Sequence, residues 1–216
     1  MKPILLPIFL LLLFSCQQHS EEAIQATKEV HLLDDIPAFT QDSLVQVVIE
    51  IPTGTHEKWE VNKNTGQLEW QKINADSSRV IDYLAYPANY GFVPQTLVAE
   101  ETGGDGDPVD IFVLGPAVAR GSILEVRIIG MVRMLDSGEE DSKLIGIDTK
   151  SNILNVKSIE GLSTGYPGVL EILRLWLENY KGRGKVELGT LLEMEYAVEY
   201  LKMAVENYQK ELAEKT

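Results

Sequence analysis

The apolar period changes once along this chain, and that change limits what it can fold into. Between residues 44 and 51, Val45, Val47, Ile49 and Ile51 fall on one face while Gln46 and Glu50 fall on the other. That is the two-residue period of a strand. Residues 58–62 repeat it, with Trp59 and Val61 opposite Lys58 and Glu60, and Asn64-Thr65-Gly66 follows as a hairpin-type turn. Further strands are predicted at residues 110–114, 123–134 and 143–147. Beyond them the spacing lengthens. Val169, Ile172, Leu173, Trp176, Leu177 and Tyr180 recur every three or four positions, with Pro167 suited to a first helical turn and Gly182 to the end. A last helix is predicted from Thr190, where Glu193 completes a capping-box pattern. Its apolar stripe is Ala197, Tyr200, Leu201, Ala204, Tyr208 and Leu212. Strands first and helices last predict an α+β fold, a small antiparallel barrel or sheet flanked by two C-terminal helices.

The 216 residues suffice for one good core. The net charge of −14 argues against nucleic acid as a partner, because no basic stripe is available to neutralise phosphates. It also repels any anionic substrate unless metal ions or local cations reverse the sign.

The N-terminus reads as an export signal rather than as fold. Lys2 precedes an almost unbroken apolar run from Ile4 to Phe14, shorter than the about 20 residues a spanning helix needs. Leu13-Phe14-Ser15-Cys16 resembles a bacterial lipobox, and Cys16 is the only cysteine in the chain. The plainer reading is an ordinary signal peptide with a chance cysteine. The lipoprotein reading is preferred because a lone cysteine has no internal disulfide to make. It divides the chain into a signal peptide at 1–15, a polar tether at 16–41 and a single domain at 42–216, exported and held to a membrane through lipid on Cys16.

Two acidic clusters carry the chemistry. Asp105-Gly106-Asp107-Pro108-Val109-Asp110 runs straight into an apolar strand, and Asp136 to Asp141 lies between two others. Like charges so crowded raise one another's pKa, and hard divalent cations, which take oxygen ligands, remove that cost. A solvated acidic turn or a structural Ca²⁺ site remains open for the first cluster on its own, and a polar hairpin for the second. The histidines lie at positions 19, 31 and 56, and no Cys/His zinc pattern, EF-hand or Walker loop is present. Candidate partners for a phosphate are Lys58, Arg79, Lys181 and the hydroxyls of Tyr86, Tyr90 and Tyr180.

Glu50, Lys58-Trp59-Glu60, Tyr86-Pro-Ala-Asn-Tyr90-Gly, Asp105-Gly-Asp-Pro-Val-Asp110, Asp136 with Asp141-Ser-Lys143, and Tyr180-Lys181 stand in the order and spacing of the soluble family I inorganic pyrophosphatases. The resemblance runs from about residue 43 to 186. It implies a five-stranded, OB-like antiparallel barrel with flanking helices, and Mg²⁺-dependent hydrolysis of pyrophosphate by direct attack of a metal-bound water. It implies several Mg²⁺ ions, some arriving with substrate. Asp105, Asp110 and Asp141 match the ligands of the first, Asp136 and Asp141 those of an ion that comes with substrate, and Glu50 a further, largely water-mediated one. Asp107 matches the residue that takes the proton of the attacking water. Lys58, Arg79, Tyr180 and Lys181 match phosphate-binding residues, with Lys72 the rival to Arg79, and Tyr90, Glu60 and Lys143 are implied neighbours of the site. Homo-oligomers are implied as well. The alternative is a non-catalytic metal- or phosphate-binding lipoprotein on the same fold, against which the retention of Asp107 weighs. An adhesion or assembly lipoprotein fits the full set of charged positions least.

Overall fold

The computed structural model describes residues 29–152 and 154–215. Among these the strands are β1 (Val45–Ile51), β2 (Trp59–Val61), β3 (Leu68–Trp70), β4 (Lys72–Asn74), β5 (Ser77–Ser78), β6 (Asn89–Phe92), β7 (Asp110–Leu114), β8 (Ile123–Asp136), β9 (Glu139–Glu140), β10 (Lys143–Asp148) and β11 (Val186–Glu193). The helices are α1 (Ile159–Gly165), α2 (Val169–Asn179) and α3 (Met194–Glu214).

Five strands close a ring. β1 pairs with β6, β6 with β7, β7 with β10, β10 with β8, and β8 returns to β1. Closure satisfies both edges of each of these strands, which an open sheet of this size does not do. The long β8 makes it possible, because its first residues pair with β1 (Val45 opposite Val126) while its later ones pair with β10 and β11. The expected five-stranded barrel is therefore present, with one correction. β10 runs parallel to β7, with Leu144 opposite Ile111. Parallel neighbours need a crossover rather than a tight turn, and here the whole of β8 and its hairpin supplies it.

Helices cover both faces of the ring. α1 and α2 pack Leu162, Leu173 and Trp176 against Phe112, Ile129 and Ile145. α3 packs Ala197, Leu201 and Ala204 against Val47, Ile49 and Ile111. Leu212, expected on the buried stripe of that helix, is exposed. Besides the short β3, β4, β5 and β9, three elements that shape the barrel and its cover were not legible in the sequence. β6 (Asn-Tyr-Gly-Phe) shows no alternation, and its Gly91 is required because a Cβ there would lie 1.9 Å from the Val48 carbonyl oxygen. α1 is short and capped by Ser158, whose hydroxyl accepts from the Gly161 N–H at 2.9 Å. β11 ends at the predicted helix start: Leu191, Leu192 and Glu193 pair with Val132, Met131 and Gly130, so the helix begins at Met194 and not at Thr190. Sheet pairing here overrides the local capping pattern.

The fold also begins earlier than residue 42. Leu33 and Ile36 are buried against Val48 and Phe92, Phe39 bridges Val45, and the Tyr208 hydroxyl donates to Asp34 at 2.7 Å. The apolar residues of this strap are too irregularly spaced among charges to show a period. The expected signal peptide and Cys16 lie outside the described residues. No helix among the described residues is long and apolar enough to cross a membrane.

The strap clamps the β2–β3 hairpin. The Leu32 N–H donates to the Gly66 carbonyl at 3.0 Å and the Gln67 side-chain amide donates to the Val30 carbonyl at 2.9 Å. Gly66 sits at φ 68°, and a Cβ on it would come within 2.3 Å of the His31 ring. Gly66→Ala is therefore expected to lower unfolding free energy by about 2 kcal/mol, measured by urea denaturation. An unchanged midpoint would show that the strap does not depend on this contact.

Candidate active site

The parallel register of β7 and β10 builds the centre of the site. It sets Asp110 and Lys143, the first residues of the two strands, side by side. The Lys143 ammonium, fully buried, lies 2.5 Å from Asp110 and also contacts Asp141. Tyr90, on the neighbouring β6, donates its hydroxyl to the same Asp110 oxygen at 2.5 Å. Burial alone would depress the ammonium pKa, but Asp110 and Asp141 hold it well above its ordinary value. The two acids respond differently. Burial acts to raise Asp110, but the charges of Lys143 and Lys58, with hydrogen bonds from Lys143 and Tyr90, leave it lowered. Asp141 lacks the tyrosine, and its burial with repulsion from Asp110 outweighs Lys143 and raises it.

Backbone contacts bring the two acidic clusters together. The Glu140 N–H donates to the Gly103 carbonyl at 2.8 Å, joining the β8–β9 hairpin to the loop before β7. That loop is shaped by its own residues. Asp105 accepts from the Asp107 N–H at 3.0 Å, an Asx-type turn, and Gly106 takes φ 73°. Burial, together with the charges of Asp141, Asp107 and Asp110, pushes Asp105 up to about 7 against a lowering hydrogen bond from Asp107. Asp107 stands apart, half exposed, with Lys63 against its carboxylate.

Glu50 is buried beneath this centre, on a strand that is paired on both sides and is therefore not an edge. It accepts from the Val61 N–H at 2.7 Å. Burial pushes it up to about 8, Lys58 opposing and Asp110 adding. Lys58 lies 3.0 Å from Glu60 and 5.5 Å from the centre of the Tyr90 ring. Its burial lowers the ammonium pKa, but Tyr86, Glu60, Glu50 and Asp110 raise it more.

Beside the acidic centre, an open cleft of about 330 Å³ gathers Arg79, Asp136, Tyr180, Lys181 and Lys185. Lys181 contacts Asp136, and its charge opposes the rise of the Asp141 pKa. Tyr180 is placed by stacking on Trp176, ring centres 4.4 Å apart. Arg79 donates to the Gln71 side chain at 2.8 Å. Lys72 instead donates to Ser78 at 2.9 Å on the small β4–β5 hairpin and does not line the cleft.

Asp110, Asp141, Lys143 and Tyr90 thus meet at the centre, with Glu50 and Lys58 beside it, Arg79, Asp136, Tyr180 and Lys181 line the cleft, and Asp107 and Lys72 stand outside both. The donor set for a cation is all oxygen, which suits hard divalent ions, and the upward push on Asp105 and Glu50 is a strain that such charge would relieve. As the side chains stand, no group of three or more acidic, histidine or cysteine residues among the described residues is arranged to hold an ion. Lysines occupy the carboxylates instead. Three contributors were missed in the sequence. Lys63 donates to the Gly106 carbonyl at 2.7 Å from a polar turn that reads as solvated. Arg120 donates to the Glu50 carbonyl at 2.9 Å and stacks 4.2 Å over Trp59. Lys185 lines the cleft from a Gly-rich stretch. None carries a local signal, since each acts on residues distant in sequence.

The model of the inorganic pyrophosphatase family matches residues 47–209. The inorganic pyrophosphatase of Aquifex pyrophilus is 34% identical over 177 residues, covering 77% of this chain and 90% of that one. The crystal structure of the Thermus thermophilus inorganic pyrophosphatase superposes with TM-score 0.70 at 27% identity, over 83% of this chain and 99% of that one. The recombinant enzyme from T brucei brucei superposes with TM-score 0.76 at 25% identity, this chain spanning 59% of its length.

Removing Lys143 would leave Asp110 and Asp141 buried without a cation. Lys143→Met is expected to cost about 3–5 kcal/mol in the presence of chelator, read by urea unfolding. A loss below about 1 kcal/mol would show that the two carboxylates tolerate each other unaided.

Proposed function

This chain belongs to the inorganic pyrophosphatase family, and on that premise we propose that it hydrolyses inorganic pyrophosphate to two phosphates in a reaction dependent on Mg²⁺. The observation that carries the reading is the junction of a carboxylate centre with a basic cleft through the Asp136–Lys181 contact. One half suits divalent cations and the other suits phosphate oxygens.

Asp105, Asp110 and Asp141 would hold the first Mg²⁺, Asp136 and Asp141 an ion arriving with substrate, and Glu50 a further one through water. Bound there, such ions supply the positive charge that lets an acidic protein accept pyrophosphate and acidify a water to be used as nucleophile. Asp107 takes that water's proton. Its half-exposed carboxylate stands outside the buried ion-pair centre, against Lys63, and a carboxylate of this kind can serve as a general base. Attack in line at one phosphorus breaks the bridging P–O bond. Arg79, Lys181 and Tyr180 donate to the oxygens of the departing phosphate and stabilise its charge. Lys58 serves a phosphate oxygen from the other side, placed by Glu60 and the Tyr90 ring. Lys143 and Tyr90 fix the orientation of Asp110. The cleft geometry favours Arg79 over Lys72 as the phosphate-binding cation.

Residues 1–15 are proposed as an export signal, Cys16 as a lipidated anchor and the residues up to the strap as its tether. The reading places the domain on a membrane face outside the cytoplasm. It is supported by the apolar run before the chain's single cysteine. Self-association is proposed through the exposed Leu84, Ile172 and Leu175. A monomer mass in sedimentation equilibrium would reject it.

Purified protein is expected to release phosphate from pyrophosphate with Mg²⁺ and not with chelator. Binding without release would leave a non-catalytic binding protein. Asp107→Asn should lower turnover by roughly 10²–10⁴, and a rate near that of the unaltered protein would remove Asp107 from the role of base. Arg79→Ala should weaken catalysis far more than Lys72→Ala, and the reverse order would transfer the role. Cys16→Ala should keep pyrophosphate turnover while moving the protein out of the membrane fraction. Retention in that fraction would rule out the lipid anchor.

A further inference from the structure

Asp107 is half exposed, whereas Asp110, Asp136 and Asp141 are mostly shielded. Its backbone is fixed from two sides. The Val98 N–H donates to the Asp107 carbonyl at 2.9 Å and the Gly106 N–H donates to the Val98 carbonyl at 2.9 Å. The Asp107 N–H donates in turn to Asp105 at 3.0 Å. None of these bonds sets the direction of the carboxylate. Among the described residues, its one hydrogen-bonding or ion-pair partner is Lys63. A side chain without a partner on a surface loop has several staggered rotamers open to it, and a base must lie within hydrogen-bond reach of the proton it takes.

Lys63 is equipped to select one of those rotamers. Its ammonium contacts Asp107 and also donates to the Gly106 carbonyl at 2.7 Å, so two of its three donors span neighbouring residues of the loop. It meets Oδ1 of the carboxylate, which leaves Oδ2 to accept a proton. The contact joins two bodies that are each held from elsewhere. On the Lys63 side, the Asn62 N–H donates to the Gln67 carbonyl at 2.8 Å and the Gly66 N–H donates to the Asn62 carbonyl at 2.7 Å. The Asn62 side chain tightens the turn by accepting from the N–H groups of Asn64 and Thr65, and the strap holds it from outside through Leu32 and Val30. An exposed ion pair adds little to stability, so the effect of this one lies in direction and not in folding energy.

We propose that Lys63 is a positioning residue for Asp107, holding the carboxylate in one orientation by bridging it to the Gly106 carbonyl and acting on the reaction through Asp107 alone. The inference rests on the reading of Asp107 as the base and adds the group that aims it. A misplacement of about 1 Å in a reacting group can cost about 10²-fold in rate. Loss of aim with the carboxylate retained is expected to cost about tenfold.

The test measures pyrophosphate turnover with Mg²⁺, Mg²⁺ affinity by titration calorimetry, and melting temperature. The variants are Lys63→Met, Lys63→Arg, Asp107→Asn and the double variant Lys63→Met with Asp107→Asn. Lys150→Met, which breaks an exposed pair with Glu125 outside the site, is the control. Lys63→Met is expected to lower kcat about tenfold with KM, Mg²⁺ affinity and melting temperature unchanged. Lys63→Arg should recover most of the loss, and Lys150→Met should match the unaltered protein. In the Asp107→Asn background, Lys63→Met should have no further effect, because residues that act as one unit are not additive. Equal losses in the two backgrounds overturn the proposal, as does a kcat for Lys63→Met near that of the unaltered protein. A rise in KM alone would assign Lys63 to substrate binding, and a fall in Mg²⁺ affinity or melting temperature would assign it to the shape of the loop; either overturns the proposal. If Asp107→Asn itself keeps the unaltered rate, the base reading fails and takes the proposal with it, an outcome distinct from the others.

Discussion

The buried ammonium of Lys143 between Asp110 and Asp141 is the contact on which the rest of the molecule turns. A buried ion pair is weak evidence of net stability, because desolvating the charges costs about as much as their attraction returns. What it does strongly is fix register. Side chains alternate across a strand, so a slip of β10 by one residue against β7 would carry Lys143 to the opposite face and leave Asp110 buried and unpaired. The parallel pairing of these two strands is the least expected feature of the barrel, and with the Glu140–Gly103 backbone bond it places the two acidic loops at the same end. Tyr90, donated by β6 to the same Asp110 oxygen, extends the constraint to a third strand.

Rigidity reaches the phosphate cleft by another route. Phe112 on β7 meets Trp176 edge-on at 6.1 Å, and Trp176 stacks on Tyr180 at 4.4 Å. Trp176 is anchored in turn by donating to the Leu84 carbonyl at 2.8 Å. The tyrosine at the end of α2, and the lysine after it, are therefore set by the barrel core and not by a free helix end. Tyr180 thus packs on the core through its ring and lines the cleft at the same time.

The sequence yielded what local periodicity encodes. β1, β7, β10 and α2 could be read because their neighbours share a face, and the site could be read because its residues lie in short ordered motifs. What escaped depends on distant partners. β11 takes its conformation from β8 and overrides a capping pattern that local residues favour. Glu50 looks outward by alternation and is buried because β2 lies over its face, where Val61 donates to it. Lys63, Arg120 and Lys185 are unremarkable in their own turns and matter only through contacts made across the fold. The irregular strap, with Leu33 and Ile36 among charged residues, shows neither period and packs through shape rather than pattern.

That strap bears on how the site is held. Asp107 differs from the other carboxylates in being half exposed, and among the described residues the cation against it comes from Lys63 in the β2–β3 turn. Two residues of free polar turn would place such a long side chain poorly. This turn is not free: Asn62 accepts from the Asn64 N–H at 2.9 Å within it, and Val30, Leu32 and His31 press on its Gly66 and Gln67 from outside. Residues 30–32 of the strap thus rest on the hairpin whose Lys63 lies against Asp107. Asp107 and the phosphate cleft are therefore held by separate supports, the first by the strap and the β2–β3 hairpin, the second by the β4–β5 hairpin and the end of α2.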